Sequence, residues 1–307
     1  QYVVPPACLA PTANAGTNSL SSISAEVSWT ENGTATSYRI EYDTAGYAAG
    51  TARNTSVVTD TFTILSGLTP ETTYDWNVQA LCSSTDSSAL SGNSFTTLCG
   101  AVALPYIENF ASYVPNCWTE AKGQLTANTV FTSSSSFWAG DGFLNNGSTG
   151  SARMNIYSTN RFEWLISPSI DLGNAPNTYR LEFDAGLTDF SGSGTDLMGS
   201  DDTLSVVISI DNGTTWSSAN VVKLYDVNAP PANVGETVFI DLSVYTGTIK
   251  VGFYATSTSS NTDYNVYIDN FQVRFSPACS EPSANAGTNS LSSTSAEVSW
   301  TENGTAP

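Results

Sequence analysis

The chain contains no histidine, the side chain that enzymes use most often as a general acid or base near neutral pH. Its absence excludes a Ser-His-Asp or Cys-His catalytic group and a zinc ion held by imidazole. Paired carboxylates remain, and Glu163, Glu182 and Glu236 are the glutamates considered for a glycosidase. Nothing around them favours that role, so we predict that the chain has no catalytic residues and is not an enzyme.

Positive charge and long apolar segments are also scarce. The 307 residues include 9 Lys and Arg against 28 Asp and Glu, which gives a formal net charge of -19. A charge of this sign repels phosphate backbones and anionic lipid headgroups. No apolar run approaches the roughly 18 residues that span a bilayer. We therefore expect no nucleic-acid partner and no direct membrane insertion.

The pattern of polar and apolar residues predicts an all-β chain. Charged residues make up 12% of the sequence, whereas Ser, Thr, Asn and Gly are abundant, as in short strands joined by polar turns. Runs such as residues 25–31 and 74–81 alternate apolar and polar side chains, which places every second side chain on one face of a strand. No segment has the pattern of a helix of three turns.

A long repeat organises the chain. Residues 13–34 and 284–305 are identical except that Ile23 is replaced by Thr294, and the match extends back to Cys8 and Cys279. The offset of 271 residues is far longer than a solenoid repeat, so we predict that the repeating unit is a pair of domains. Residues 279–307 would then be the first strand of a further module, in a chain that continues in the parent protein.

The first domain is predicted to span residues 1–98. It has Trp29 on an early strand, a Leu68-Thr69-Pro70 turn and Tyr74 shortly after this turn. These residues resemble a fibronectin type III module, in which the tyrosine ties the turn to the following strand. The resemblance implies an immunoglobulin-like sandwich of two sheets, and residues 279–307 resemble the truncated start of a second such module.

The second domain is predicted to span residues 99–278. Its sequence resembles the MAM-like or cleaved-adhesin jelly rolls of secreted bacterial proteins, on the order of the segments 107–110, 117–118, 164–168 and 267–271. The resemblance implies a jelly-roll β-sandwich. The expected core residues are Trp164, Leu181, Phe183, Val206, Ile208, Val251, Phe253, Ile268 and Phe271.

The second domain is rich in acids, which predicts a structural calcium ion. Calcium binds six to eight oxygen atoms from carboxylates, carbonyls and water. The jelly-roll resemblance implies a ligand from the first strand and another from the last, so Glu108 and Asp269 are the first choices, with Asp184 or Asp141 assisting. The alternative is a solvated acidic surface, because the sequence has no contiguous EF-hand spacing.

Aromatic residues in a Gly- and Ser-rich stretch are candidates for a ligand platform. Trp118, Trp138 and Tyr157 would bind the face of a sugar by stacking if they were exposed. The alternative, which applies to each of them, is a place in the core or an anchor for a loop.

Five cysteines with no CxxC pair predict disulfides and an oxidising compartment. If Cys8 and Cys279 open the same kind of module, the best partner for Cys8 is Cys82, and Cys99 is left for Cys117. The competing pair of Cys82 with Cys99 would leave Cys8 and Cys117 without partners. Cys279 would find its partner beyond the chain.

The resemblances imply a non-catalytic repeat segment of a secreted, Bacteroidetes-type surface adhesin, of a kind used in gliding motility and exported by the type IX pathway. Such a segment would bind an extracellular glycan or protein, contact neighbouring repeats, or act as a spacer. Thr44 and Thr203 lie in Asp-Thr-aliphatic sequences that resemble O-glycan acceptor sites, so we expect a glycoprotein. The alternative is an accessory carbohydrate-binding region of an exported hydrolase.

Overall fold

The computed structural model describes residues 8–176, 178–259 and 262–276, together with 283–284, 290–292 and 294–301. The described chain is built from strands, with two short 3-10 turns at Phe143–Asn145 and Ser218–Asn220, which confirms the all-β prediction. None of its helical segments has the length and hydrophobicity needed to cross a bilayer. The chain divides into two compact units, Gln1–Gly100 and Ala101–Pro307.

The first unit is a sandwich of two antiparallel sheets. One sheet has the order β1-β2-β5 and the other β4-β3-β6-β7. The strands are β1 (Thr12–Ala13), β2 (Ser24–Thr30), β3 (Tyr38–Thr44), β4 (Asn54–Val58), β5 (Phe62–Ser66), β6 (Thr73–Ala80) and β7 (Ser91–Thr96).

Alternation along these strands builds the core of the first unit. In β2 every second residue is buried, and Trp29 at its end is only 3% exposed. Trp29 lies with its ring centroid 5.2 Å from that of Tyr38 and 6.4 Å from that of Trp76. The Tyr74 hydroxyl accepts a hydrogen bond of 3.0 Å from the Thr69 backbone N–H. This is the contact that the fibronectin-like turn predicts.

Cysteines in the described chain are oxidised. Cys8 and Cys82 form a disulfide across a separation of 74 residues, with their Cα atoms 5.8 Å apart. Cys99 and Cys117 are also disulfide-bonded. Cys279 lies outside the described residues.

The part of the second unit that the structure describes between residues 101 and 276 contains thirteen strands. They are β8 (Ala101–Val102), β9 (Tyr106–Glu108), β10 (Thr119–Lys122), β11 (Trp138–Asp141), β12 (Ser151–Ile156), β13 (Arg161–Ile166), β14 (Ser169–Asp171), β15 (Tyr179–Asp189), β16 (Thr203–Ser209), β17 (Val221–Tyr225), β18 (Glu236–Asp241), β19 (Thr248–Ser257) and β20 (Tyr264–Phe275).

These strands form a jelly roll. In the six-stranded sheet β12-β20-β15-β18 are neighbours, with β11 beside β12 and β9 beside β20. In the seven-stranded sheet β13 and β16 flank β19, β17 follows β16, and β10, β14 and β8 complete the sheet. Early and late strands alternate in both sheets, so the chain passes repeatedly from one sheet to the other, as it does in a jelly roll.

The core of the jelly roll lies between the two sheets. Eight of the nine expected core residues belong to it and are fully buried, among them Leu181, Phe183 and Phe253. The ninth, Trp164, is also fully buried but lies in a separate cluster with Trp216 and Tyr254. Its neighbour Leu165 belongs to the main core, so Trp164 points to the outer face of the seven-stranded sheet.

The repeated residues near the C-terminus pair as their counterparts do. In the first unit Thr12 pairs with Thr30 and Ala13 with Trp29. In the second copy β21 (Ser283–Ala284) pairs with β24 (Trp300–Thr301), and β22 (Ser290–Leu291) pairs with β23 (Ala296–Glu297). The register is the same at the offset of 271 residues, whereas Trp300 is 62% exposed and Trp29 is 3% exposed.

Candidate calcium and ligand sites

Two of the predicted calcium ligands lie side by side on neighbouring strands of the six-stranded sheet. Asp184 of β15 is the register partner of Asp269 of β20. The Asp184 carboxylate accepts hydrogen bonds from the Thr237 hydroxyl (2.6 Å) and the Asn270 side-chain amide (2.8 Å). The Asp269 carboxylate accepts one from the Asn270 backbone N–H at 2.6 Å. Two carboxylates are thus held on one face of neighbouring strands.

The electrostatics of this pair favour a cation. Burial raises the pKa of Asp269 to about 6, and the Asp184 carboxylate adds to the rise by repulsion. Neither aspartate forms an ion pair with a Lys or Arg of the described chain. A divalent cation between the two side chains would remove the repulsion, and carboxylate oxygens are of the kind that calcium binds.

The other two predicted ligands are engaged elsewhere. Glu108 pairs with Phe271 on the other edge of β20, and its carboxylate accepts a 2.7 Å hydrogen bond from the Phe110 N–H. Asp141 forms an ion pair of 2.8 Å with Arg153. Among the residues described, every group of three or more acids or cysteines with ligand atoms within 4.8 Å contains disulfide-bonded cysteines. The four acids therefore do not converge, and calcium remains a proposal based on Asp184 and Asp269.

Calcium is expected to stabilise the second unit through this pair. At 100 times its Kd, calcium should add about 2.7 kcal/mol to the free energy of unfolding, or roughly 5 to 10 °C in Tm. Asp184→Asn should abolish the increment, and the exposed Asp171→Asn should not. Differential scanning calorimetry in calcium and in chelator measures both. An unchanged increment in Asp184→Asn would remove the pair from the site.

The same pair predicts the pH dependence in chelator. Because the folded-state pKa of Asp269 is raised to about 6, its contribution to stability is complete below its ordinary pKa of 3.8 and is lost as the pH rises through about 6. The chelated protein should therefore gain stability at this site between pH 7 and pH 5. The calcium increment should shrink over the same interval, because protons compete with the ion.

The predicted aromatic platform is wrong for its two tryptophans. Trp118 and Trp138 are each 4% exposed and belong to the jelly-roll core. The Trp118 ring contacts Phe110 and Phe271, with both centroid distances 5.0 Å, so neither face is open to a sugar. Tyr157 is 44% exposed, but the tryptophans that would complete a platform are buried.

A cleft that the sequence did not reveal lies on the outer face of the seven-stranded sheet. Its volume is about 370 Å³. Its apolar part consists of Ala121, Phe131, Ile166 and Trp216. Its polar part consists of Thr119, Glu120, Ser133, Ser134 and Lys250. We call this site the outer cleft.

An aromatic cluster supports the outer cleft from beneath. The Trp164 ring centroid lies 4.8 Å from that of Tyr254, 5.2 Å from that of Trp216 and 5.5 Å from that of Phe131. A Cβ atom at Gly252 would lie 2.7 Å from the Trp216 ring, so only glycine lets the ring lie against β19. The Trp164 indole N–H donates a 2.7 Å hydrogen bond to the Gly123 carbonyl and holds the loop that carries Phe131.

A tight turn positions Trp216 and Lys250. The Asp211 carboxylate accepts hydrogen bonds from the Ser209 hydroxyl (2.7 Å) and from the Thr215 N–H (2.9 Å) and hydroxyl (2.6 Å). Gly213 has a φ of +83°, and a Cβ atom there would lie 3.0 Å from Cδ of Lys250. Glycine therefore provides both the backbone conformation and the room for the lysine stem.

The polar groups of the outer cleft differ in their hydrogen bonds and in their exposure to solvent. Glu120 accepts hydrogen bonds from the Tyr113 hydroxyl (2.5 Å) and the Ser136 N–H (3.2 Å). Ser133 and Ser134 are exposed at the rim. Burial lowers the pKa of Lys250 below its ordinary value.

Two of the glutamates considered for catalysis are buried in ion pairs. Glu163 is fully buried, lies 3.0 Å from the Lys122 ammonium and accepts a hydrogen bond from the Phe137 N–H. Glu182 is 3% exposed between Arg180 and Arg274. Glu236 accepts a 3.3 Å hydrogen bond from the Ala232 N–H.

The two predicted glycan acceptors differ in accessibility. Thr44 is exposed at the end of β3. Thr203 is half-buried and pairs with Thr256 in the sheet. Both sites remain predictions, and intact-mass measurement tests them.

Comparison with known proteins agrees with the fold of the first unit. The family model of the fibronectin type III domain matches residues 10–97. The solved fn3 domain of human collagen alpha-1(XX) chain has 19% identity and a TM-score of 0.26, with 33% of this chain and 92% of that chain covered. No curated protein matches the sequence.

Solved structures similar to a larger part of the chain include two carbohydrate-binding proteins. TmCBM61, solved in complex with beta-1,4-galactotriose, has 14% identity and a TM-score of 0.33, with 57% of this chain and all of that chain covered. The N-terminal cellulose-binding domain of Cellulomonas fimi beta-1,4-glucanase C has 9% identity and a TM-score of 0.35, covering 58% and 99%. On the family match and its own strand order, the chain comprises a fibronectin type III domain followed by a jelly-roll β-sandwich.

Proposed function

We propose that this chain is a non-catalytic, glycan-binding segment of an extracellular protein, and that the outer cleft is its binding site. The observation that carries the proposal is the composition of the cleft. The half-buried Phe131 provides an apolar surface backed by the buried Trp216, while Ser133 and Ser134 provide hydroxyl groups at the exposed rim. The volume of about 370 Å³ is in the range of small-molecule sites.

Sugars match this combination of groups. A pyranose ring has an apolar face of C–H groups, which packs against aromatic side chains, and a rim of hydroxyl groups, which exchange hydrogen bonds with serines and carboxylates. The aromatic cluster beneath the cleft is buried and hydrogen-bonded, so its rings stay in place when a ligand binds. A preformed wall reduces the entropy cost of binding.

An extracellular location is supported by the covalent chemistry of the chain. Disulfides such as Cys8–Cys82 persist in oxidising compartments and are rare in the cytosol. The fibronectin type III domain in the first unit is consistent with this location. Surface display, type IX export and a role in gliding adhesion remain proposals, as does binding of a protein ligand.

A spacer role is the second candidate, and the repeated hairpin favours it. Residues 283–301 pair in the register of residues 12–30, so one local structure recurs after 271 residues. Recurrence of this kind fits a row of similar modules. An adhesin and an accessory region of a hydrolase would both use the outer cleft, and they differ in what the parent protein contains elsewhere.

A blocking substitution at the rim tests glycan binding. Ser134→Trp should fill the outer cleft and weaken binding at least tenfold on a glycan array and in titration calorimetry with the glycans that bind. Ser135→Trp is the matched control, because Ser135 is an exposed neighbour that does not line the cleft.

The outcomes separate the two candidates. Loss of binding in Ser134→Trp but not in Ser135→Trp supports the outer cleft as the site. Equal binding by both variants moves the site elsewhere on the chain. Absence of binding by the unsubstituted chain on a broad array would leave the spacer role.

A further inference from the structure

The cations of this protein are few, and nearly all have partners. Of the nine Lys and Arg residues, eight lie beside a carboxylate or over an aromatic ring. The eight are Arg39, Arg53, Lys122, Arg153, Arg161, Arg180, Lys223 and Arg274. Within the described chain, Lys250 alone has neither contact.

Lys250 is also the cation that lines the outer cleft. It lies on β19 opposite Ser209, with its stem against Gly213. The residue as a whole is half-buried, and no carboxylate of the described chain forms an ion pair with its ammonium group. Removal of a charge from water costs free energy unless an opposite charge compensates.

In a chain with 28 acids, a partner for Lys250 would be easy to supply from the protein itself. Glu120 lines the same cleft, but its carboxylate accepts hydrogen bonds from Tyr113 and Ser136, and it forms no ion pair with Lys250. The ammonium group is therefore available to a ligand.

We propose that the outer cleft selects sugars that carry an anionic group, a carboxylate or a sulfate ester, and that Lys250 pairs with this group. The inference rests on the proposed glycan-binding function and names its ligand class. The ligand's anionic group lies against the Lys250 ammonium group. Its hydroxyl groups lie toward Ser133 and Ser134.

Because the net charge is -19, the attraction between Lys250 and an anionic glycan acts only at short range. Acids elsewhere on the surface repel an anionic glycan at a distance, and salt screens this repulsion over about 8 to 10 Å. The partly buried pair with Lys250 is screened much less. Binding of an anionic sugar should consequently persist, or strengthen, as salt is raised from low to physiological concentration.

The test uses the full chain, two probes and two lysine variants. The probes are tetragalacturonate and its methyl ester, which share the same sugar backbone and differ in charge. Lys250→Met keeps the length of the stem and removes the charge. Lys223→Met is the matched control, since it removes the same charge from a residue that stacks on Tyr225 outside the cleft.

We expect tetragalacturonate to bind at least tenfold more tightly than its methyl ester, as measured by titration calorimetry. Lys250→Met should remove most of this difference, and Lys223→Met should preserve it. Near-ultraviolet circular dichroism checks that both variants are folded. Sulfated galactan oligomers form a parallel arm that distinguishes a sulfate ester from a carboxylate as the preferred group.

Other results overturn the inference in distinguishable ways. If neutral and anionic glycans bind equally and Lys250→Met changes neither, the charge selection is wrong and glycan binding stands. If the charge preference persists in Lys250→Met, another residue selects the anion. If no glycan of either kind binds, the proposed function itself fails.

Discussion

Replacing Cys8 and Cys82 together by alanine is expected to lower the free energy of unfolding of the first unit by about 4 kcal/mol. The disulfide closes a loop with a sequence separation of 74 residues, so it removes much of the conformational freedom of the unfolded chain. Domains of this size are typically stable by about 5 to 15 kcal/mol. The variant should therefore be close to unfolding at 37 °C.

Hydrogen exchange read by mass spectrometry localises this effect. Amides of β3 and β6, which pair over seven residue positions, should exchange much faster in the double variant. Amides of β15 and β20 in the second unit serve as the internal control. A reductant should also raise the exchange rates of β3 and β6 in the unsubstituted protein. Unchanged protection in β3 and β6 would contradict the prediction.

Glu182→Ala is expected to destabilise the second unit by about 3 to 5 kcal/mol. The Glu182 carboxylate is 3% exposed and binds both Arg180 and Arg274, with 2.7 Å to the Nε atom of Arg274. It also accepts a 3.1 Å hydrogen bond from the side-chain amide of Gln272. Its removal leaves two guanidinium groups without their anion, and the Arg180 side chain is only 12% exposed while that of Arg274 is 35% exposed.

The neighbouring glutamate provides the control for this substitution. Glu236 lies on the next strand, accepts a hydrogen bond from the Ala232 N–H, lies beside the buried Tyr225 hydroxyl and forms no ion pair in the described chain. Glu236→Ala should cost about 1 kcal/mol or less. Chemical denaturation followed by tryptophan fluorescence measures both variants. Equal stability of the two would show that the buried ion network contributes little.

The alternation of apolar and polar residues predicted the strands and most of the core. It failed where a loop covers the outer face of a sheet. Residues such as Leu181 and Phe183 lie between the sheets as expected. Trp164 follows the same alternation, but its face is covered by the loop that carries Phe131. A period of two residues separates the faces of a strand and does not show which loops cover them.

The outer cleft could not be read from one segment of sequence, because its residues come from distant ones. Ser134, Trp216 and Lys250 meet only after β10, β13 and β19 have paired. Two signals were present. The Asp-Asn-Gly sequence at residues 211–213 is typical of a tight turn, and Lys250 lies between the apolar residues Ile249 and Val251. Strand formation alone does not explain a lysine at this position, so the sequence marks Lys250 as a candidate functional residue.

The pairing of Asp184 with Asp269 shows that one inserted residue is enough to defeat a prediction of strand register. Asp184 meets Asp269 because the pairing of β15 with β20 shifts between Glu182 and Asp184, where Asn270 adopts a positive φ of 48°. Such a bulge inserts one residue and reverses which side chains face outward. Family resemblance selected Asp269 without this knowledge, and it also selected Asp141, which pairs with Arg153.

The recurrence of one hairpin at both ends of the chain has a consequence for biosynthesis. Both copies have nearly the same residues and register, so both are able to compete for the sheet that β5 completes. A ribosome delivers the first copy and its partners long before the second, and domains generally fold as units in order of synthesis. When the whole chain refolds from denaturant, both copies are present from the start. Either copy is then able to pair with the rest of the first sheet.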